Sequence, residues 1–131
     1  NRNVNLYCLR RNFYKGDSEK AYKKNKLVKN SFNKLVIYRN SIIVDCLFGI
    51  GLNRKINGIY KKIIKKVNKS KQYIISIDIP SGINGNTGEK MGEAIKANLT
   101  YALHAKKDGH TIGMGKKYSG KVKVVDIGIK E

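Results

Sequence analysis

Long apolar runs, paired cysteines and acidic residues are all scarce in this chain of 131 residues. The longest uninterrupted apolar stretch is Cys46 to Leu52, far short of the roughly 18 residues that a membrane span needs. The start carries Arg2, Arg10 and Arg11 with no long apolar core behind them, which does not match a secretory signal. The two cysteines, Cys8 and Cys46, sit in separate apolar runs without a close spacing partner, so neither a disulfide framework nor a zinc site is expected. Both are expected to be buried, reduced thiols, which favours a cytoplasmic protein. Internal repeats and low-complexity linkers are also missing.

Acidic residues are outnumbered by basic ones, 9 against 28, for a net charge of +19. Taken alone this suggests a polyanion partner. The excess is nearly all lysine, however, and it is spread over every segment rather than gathered with arginine and aromatics on one face. No specific nucleic-acid partner is therefore expected. A length of 131 residues with 40% apolar content suits one domain spanning residues 1–131 with a single modest core.

The central stretch is Tyr73-Ile-Ile-Ser-Ile-Asp-Ile-Pro-Ser-Gly82. A short β-branched run of this kind reads as a buried parallel strand, and it ends in an acid and a turn. In open α/β sheets ligands bind beyond the carboxyl ends of the strands, which puts Asp78 and Ser81 where chemistry would occur. The plainer reading is that Asp78 only caps its turn.

In chain order, Val4 to Leu9 reads as a strand and Gly16 to Phe32 as a lysine-rich helix capped by Asp17 or Ser18. Leu35 to Tyr38 is a short strand or an extended connection. Ser41 to Phe48 is a stronger strand, followed at once by Gly49-Ile-Gly-Leu-Asn53, where glycines suit a sharp bend. From Ile56 onward Ile59, Tyr60, Ile63, Ile64 and Val67 recur at helical spacing, with lysines filling the other side. This predicts a surface helix in a β-α-β unit. A glycine- and asparagine-rich loop spans Ile83 to Gly92. Leu99 to His104 and Lys121 to Ile127 read as strands, with Lys106 to Gly115 a loop between them. The fold class expected is α/β with a mostly parallel sheet.

Two strands then end in acids, Asp45 and Asp78, within about 5 to 10 Å of each other if the strands are neighbours. Carboxylates that close either share a proton or neutralise a cation. A hard cation held by Asp45, Ser81 Oγ and backbone carbonyls suits such oxygen-only ligands better than zinc does. Gly49 and Gly51 follow a strand and precede a helix, a context in which amides can approach phosphate, or they simply satisfy a turn. His104 and His110 are isolated in sequence. Lys107 carries little weight among so many lysines, and Asp126 is best read as a turn cap.

The blocks Val44-Asp-Cys-Leu-Phe-Gly-Ile-Gly-Leu-Asn-Arg54, Ser76-Ile-Asp-Ile-Pro-Ser-Gly-Ile-Asn84, Ala97 to Thr100, Gly113 to Gly115 and Val124 to Ile129 closely resemble the NAD(P)H-hydrate epimerase family, also called YjeF N-terminal domains. The likeness runs from about residue 42 to the end, and residues 1–40 share only the strand-helix outline. It implies a Rossmann-like three-layer sandwich that interconverts the R and S epimers of hydrated NADH and NADPH in cofactor repair. It further implies a potassium ion held by Asp45 and Ser81. The cofactor-binding stretch would be Gly49, Ile50, Gly51, Leu52, Asn53, Arg54 and Lys55, with Asp78 as a further contact. Asp78 is the candidate acid–base residue, because epimerising a carbon that bears a hydroxyl beside a ring nitrogen needs a proton delivered and returned. Lys107 falls on the lysine of the family's Lys-Pro-Gly, with Asp108 in place of the proline.

The family's Asn-Asn-Gly-Gly-Asp-Gly loop, which supplies further phosphate and potassium contacts, does not occur in these residues. Asn1 rather than Met opens the chain. The 131 residues are therefore expected to be a portion of a longer protein, inactive or severely impaired alone. Many family members continue into an ADP-dependent dehydratase domain, so a bifunctional parent stays open, as does a homodimer. The competing reading is a non-catalytic nucleotide-binding or scaffold module of the same fold.

Overall fold

A computed structural model describes residues 3–9 and 14–129. The chain divides into two compact units, Asn1–Val36 and Ile37–Glu131. The first holds β1 (Leu6–Tyr7), α1 (Asp17–Lys24) and β2 (Lys29–Asn30), followed by a 3-10 turn over Phe32–Lys34. Strands β1 and β2 pair in parallel over two residues each. Both elements expected here are thus shorter than the sequence suggests. The strand over Val4 to Leu9 contracts to Leu6–Tyr7, and the helix over Gly16 to Phe32 ends at Lys24. The helix buries no residue, so little tertiary packing sustains it. Asn25 then turns the chain by accepting the Leu27 N–H on its own Oδ1 at 2.8 Å, an alternative to helical pairing. Ser18 does not cap the helix; its Oγ donates to Lys15 O at 2.7 Å. Segment 35–38 is extended connection, not strand.

The second unit contains the sheet that positions the site. Strands β3 (Ile42–Asp45), β4 (Tyr73–Ile77), β5 (Leu99–Leu103) and β6 (Lys121–Val125) lie in sequential order and are parallel throughout. The expected α/β class with a mostly parallel sheet is the one observed. Helix α2 (Gly58–Lys69) links β3 to β4 and buries Ile63, Ile64 and Val67, as its periodicity predicts. Asn68 fastens it to the connection between β4 and β5, donating to Ala94 O and accepting from Lys96 N, each at 2.9 Å.

Register assigns the side chains to faces. Asp45 pairs with Ser76, and Ser76 with Thr100, so these share one face with Ile74 and Ala102, and all five are buried. Ile42, Val44 and Tyr73 point to the other face and are about half exposed.

Over residues 106–115 the sequence predicts a loop. Instead a 3-10 turn covers Asp108–His110 and helix α3 spans Gly113–Tyr118. The glycines that argue against a helix are there for close packing: a Cβ on Gly115 would collide with Gly109 O. Behind this turn Ile79, Ile83 and Ala94 form a buried cluster against which Met114 and Tyr118 pack. Both cysteines are free, but Cys46 is exposed and Cys8 only half-buried, contrary to the expectation of two buried thiols. Cys46 follows Asp45 at the very end of β3, so the pleat turns it away from the face that Asp45 occupies. Among the described residues no helix is long and apolar enough to cross a membrane.

Candidate active site

Parallel pairing brings the carboxyl ends of β3, β4 and β5 to one rim, and the candidate residues follow those ends. The rim holds two acid-centred clusters. Asp45, the last residue of β3, is 6% exposed and accepts four hydrogen bonds. Ser81 Oγ donates to Oδ1 at 2.5 Å and Leu47 N to Oδ1 at 3.2 Å; Ser76 Oγ donates to Oδ2 at 2.8 Å and Ser81 N to Oδ2 at 2.9 Å. Burial pushes this carboxyl above its ordinary range, and the bonds from Ser81, Ser76 and Leu47 offset part of that rise. Ser81 Oγ also accepts the Phe48 N–H at 2.8 Å and lies 3.2 Å from Phe48 O. Gly82 has to be glycine to hold this serine, since its φ is +98° and a Cβ would strike Glu93 O.

Asp45, Ser81 Oγ and Phe48 O are oxygen donors gathered on one buried carboxylate, a set whose hardness suits a group 1 or group 2 cation. Every acceptor direction of Asp45 already meets an N–H or O–H. A cation at Oδ1 therefore requires the Ser81 hydroxyl to turn its proton away. Among the described residues no cluster of three or more His, Cys, Asp or Glu side chains could hold a metal ion.

The second cluster is centred on Asp78, which follows β4 in the left-handed region at φ 69°. Aspartate is among the few non-glycine residues that tolerate this conformation. Its N–H donates to Tyr101 O on β5 at 2.7 Å. Its Oδ1 accepts from Leu103 N at 3.2 Å and forms an ion pair with Lys107 Nζ. Lys107 Nζ also donates to Leu103 O at 2.8 Å. The side chains of Lys107 and Asp78 keep 21% and 18% of their exposure, so the pair is shielded yet open to the rim.

Asp45 and Asp78 therefore share the rim, as expected from strand-end placement, but not a proton or a serine. Of the two alternatives expected for close carboxylates, a shared proton or a neutralised cation, the shared proton is not what is seen, because Ser81 turns to Asp45 while Lys107 reaches Asp78.

Between β3 and α2 an open recess of about 400 Å³ is lined by Leu47, Phe48, Gly49, Gly51, Leu52, Asn53 and Arg54. Ile50 projects outward, 56% exposed, and packs beside Gly85; Lys55 is exposed and does not line the recess. Neither Gly49 nor Gly51 has a positive φ, and a Cβ on either would meet nothing within 4 Å. The turn alone thus does not demand glycine there, contrary to the bend argument, and the bare backbone leaves its surface open. Helix α2 begins at Gly58, beyond segment 52–57, so Gly-x-Gly does not sit on a helix N-terminus. Phe48 meets Tyr60 of α2 edge to face at 5.2 Å, fixing one wall of the recess.

Of the remaining candidates, Asp126 caps a turn through Gly128 N at 2.8 Å, as expected. His104 lies at φ 66° just past β5, its N–H on Val125 O. Lys107 and His110 are the residues that sequence reasoning undervalued. Lys107 lies just past the exit of β5, and the strand-end rule that marks Asp78 would have marked it too.

The model of the family described as YjeF-related protein N-terminus matches residues 7–109. An NAD(P)H-hydrate epimerase of Lentilactobacillus buchneri is 47% identical over 98 residues, covering 75% of this chain and 43% of that protein. Another from Limosilactobacillus fermentum is 42% identical over 85 residues, covering 65% of this chain and 41% of the relative. A bifunctional NAD(P)H-hydrate repair enzyme Nnr of Coxiella burnetii is 36% identical over 100 residues, covering 76% of this chain and 20% of its own length. The chain thus spans less than half the length of these curated relatives. With most of its residues matched, the chain belongs to the YjeF-related N-terminal family.

Proposed function

We propose that this chain forms the Asp78 rim of an enzyme that interconverts the epimers of hydrated NADH and NADPH in nicotinamide cofactor repair. The observation that carries the reading is the shielded Asp78–Lys107 pair at the carboxyl rim of a parallel sheet whose first strand is followed by a glycine-lined recess, in a chain of this family. The relatives' names supply the reaction. The chemistry needs one transferable proton beside the carbon that bears the hydroxyl. In the proposed step the pair gives a proton to the hydroxyl as its C–O bond breaks, and the ring nitrogen lone pair moves in to form an iminium. Water adds to the other face and returns its proton to the pair, so atoms and charge balance.

The backbone of Gly49 to Arg54 is assigned to the dinucleotide, with Lys55 beside it. Asp45, Ser81 and Phe48 O are assigned to a potassium ion, whose charge would keep the buried Asp45 carboxylate ionised. The two free cysteines fit a reducing, cytoplasmic setting.

Because the chain is shorter than its relatives, the property proposed for these residues themselves is recognition of the hydrated cofactor. The test is a calorimetric titration with hydrated NADPH, with NADPH and with a polyanion, while epimer exchange is followed in the same samples by chromatography. Saturable binding that prefers the hydrate and weakens in Asp78→Asn supports the reading. Binding without preference for the cofactor and with a steep salt slope would overturn it in favour of a basic polyanion binder. A non-catalytic nucleotide module would bind NADPH and its hydrate alike.

A further inference from the structure

His110 is buried, 3% exposed, at the end of the 3-10 turn that follows Lys107. Its ring bridges two stretches of backbone, in addition to the side-chain ion pair that joins them. Lys107 N donates to Nδ1 at 2.9 Å, and Nε2 lies 2.7 Å from Asp78 O. A carbonyl oxygen only accepts, so Nε2 carries a proton; a nitrogen that accepts an N–H carries none, so Nδ1 is bare. The partners thus assign the neutral Nε2–H tautomer. Nδ1 also stands 3.2 Å from Lys107 O, a contact that only a second ring proton could use, at the expense of the shorter bond from Lys107 N.

Asp78 sits in a backbone conformation that few side-chain-bearing residues adopt, and such a residue persists where its surroundings over-determine it. Three anchors do so here: Asp78 N on Tyr101 O, Oδ1 on Leu103 N, and Asp78 O on His110. The same imidazole fixes the backbone of Lys107, whose ammonium meets the Asp78 carboxylate.

We propose that His110 is a positioning residue for the Asp78–Lys107 pair: it holds the Asp78 carbonyl and the Lys107 amide so that carboxylate and ammonium stay in contact at the rim. It touches no reacting atom. The consequence for cofactor recognition rests on the proposed function, whereas the clamp itself does not.

Two near-isosteric variants separate its contacts. In His110→Gln the side-chain amide can still donate to Asp78 O but gives up Lys107 N; in His110→Asn the carbonyl can still accept Lys107 N but falls short of Asp78 O. His110→Ala loses both. Acylation of Lys107 by an amine-reactive ester, followed by mass spectrometry on the folded chain, is expected to speed up several-fold in His110→Ala. Gln and Asn should each rescue part of the protection. In the unsubstituted chain the ¹⁵N imidazole spectrum is expected to show a protonated Nε2 and a bare Nδ1. Hydrated NADPH should bind about tenfold more weakly to His110→Ala.

A protonated Nδ1 at neutral pH would overturn the proposal. So would unchanged Lys107 labelling in all three variants. If His110→Ala does not fold, the Gln and Asn pair carries the labelling test. Should the unsubstituted chain ignore hydrated NADPH, the proposed function fails, while labelling and the spectrum still decide the clamp.

Discussion

Asp45 and Asp78 look alike in sequence, each an acid closing a β-branched run, yet the structure compensates them in opposite ways. Asp45 is buried, and hydroxyl and amide donors fill all of its acceptor directions. Asp78 is partly open and paired with an ammonium. An acid saturated by four donors fixes its surroundings and offers a lone pair only where the Ser81 hydroxyl turns its proton away. An acid paired with a single ammonium at the rim has a proton donor beside it, within reach of a ligand. The strand-end position is therefore not what separates scaffold from chemistry; the partners are.

Substitutions should split along this line. The largest effect is expected for Asp45→Ala, which strands Ser76 Oγ and two backbone N–H groups in a buried site and leaves Ser81 Oγ only its longer bond to Phe48 O. At about 1 to 3 kcal/mol for each donor left unsatisfied, less what entering water restores, a loss of about 4 kcal/mol is predicted. Urea denaturation measures it, and a loss under about 1 kcal/mol would erase the contrast between the two acids. Asp78→Asn should leave stability within about 1 kcal/mol, because the substituted side chain keeps an oxygen for Leu103 N and Lys107. It should nevertheless weaken hydrated NADPH by about tenfold or more, near 1.4 kcal/mol.

A smaller effect comes from pH. Burial raises the Asp45 carboxyl, so the folded chain holds that proton more tightly than the unfolded chain does. The stability this group contributes is then complete below the ordinary carboxyl pKa, about 3.9, and is lost as pH climbs through the raised folded value. Asn at 45 cannot titrate. The destabilisation caused by Asp45→Asn should therefore be greatest near pH 4 and narrow toward neutrality in denaturation curves collected across that range. A gap that widens with pH contradicts the assignment.

Smallest of all is the cation effect. Replacing choline chloride by potassium chloride at equal ionic strength should raise the unfolding free energy by about 0.4 kcal/mol when potassium equals its dissociation constant. Ser81→Ala should abolish that increment. An equal rise in the Ser81→Ala chain would move the ion away from Asp45.

Much of the second unit was legible beforehand, for a physical reason. Strands β3 to β5 are short, mostly apolar runs closed by turn residues, β6 alternates lysine and valine, and α2 carries a clean 3.6-residue stripe, so periodicity and packing agree. The first unit offered neither: α1 buries nothing, and its lysine-rich sequence continues unbroken into non-helical chain. Helix α3 hid behind Gly113 and Gly115, which mark a close backbone approach and not a break. At the site, Asp45, Ser81 and Asp78 could be found from strand ends alone. Lys107 is marked only by its place after a strand end and by the family likeness, and His110 by nothing local, because their value lies in contacts to Asp78 across some thirty positions of sequence.

The most direct test compares Asp45→Asn and Asp78→Asn side by side, measuring unfolding free energy and affinity for hydrated NADPH on the same preparations. The first variant is expected to lose stability, while the second keeps it and loses the ligand. Equal ligand binding by Asp78→Asn and the unsubstituted chain would contradict this expectation.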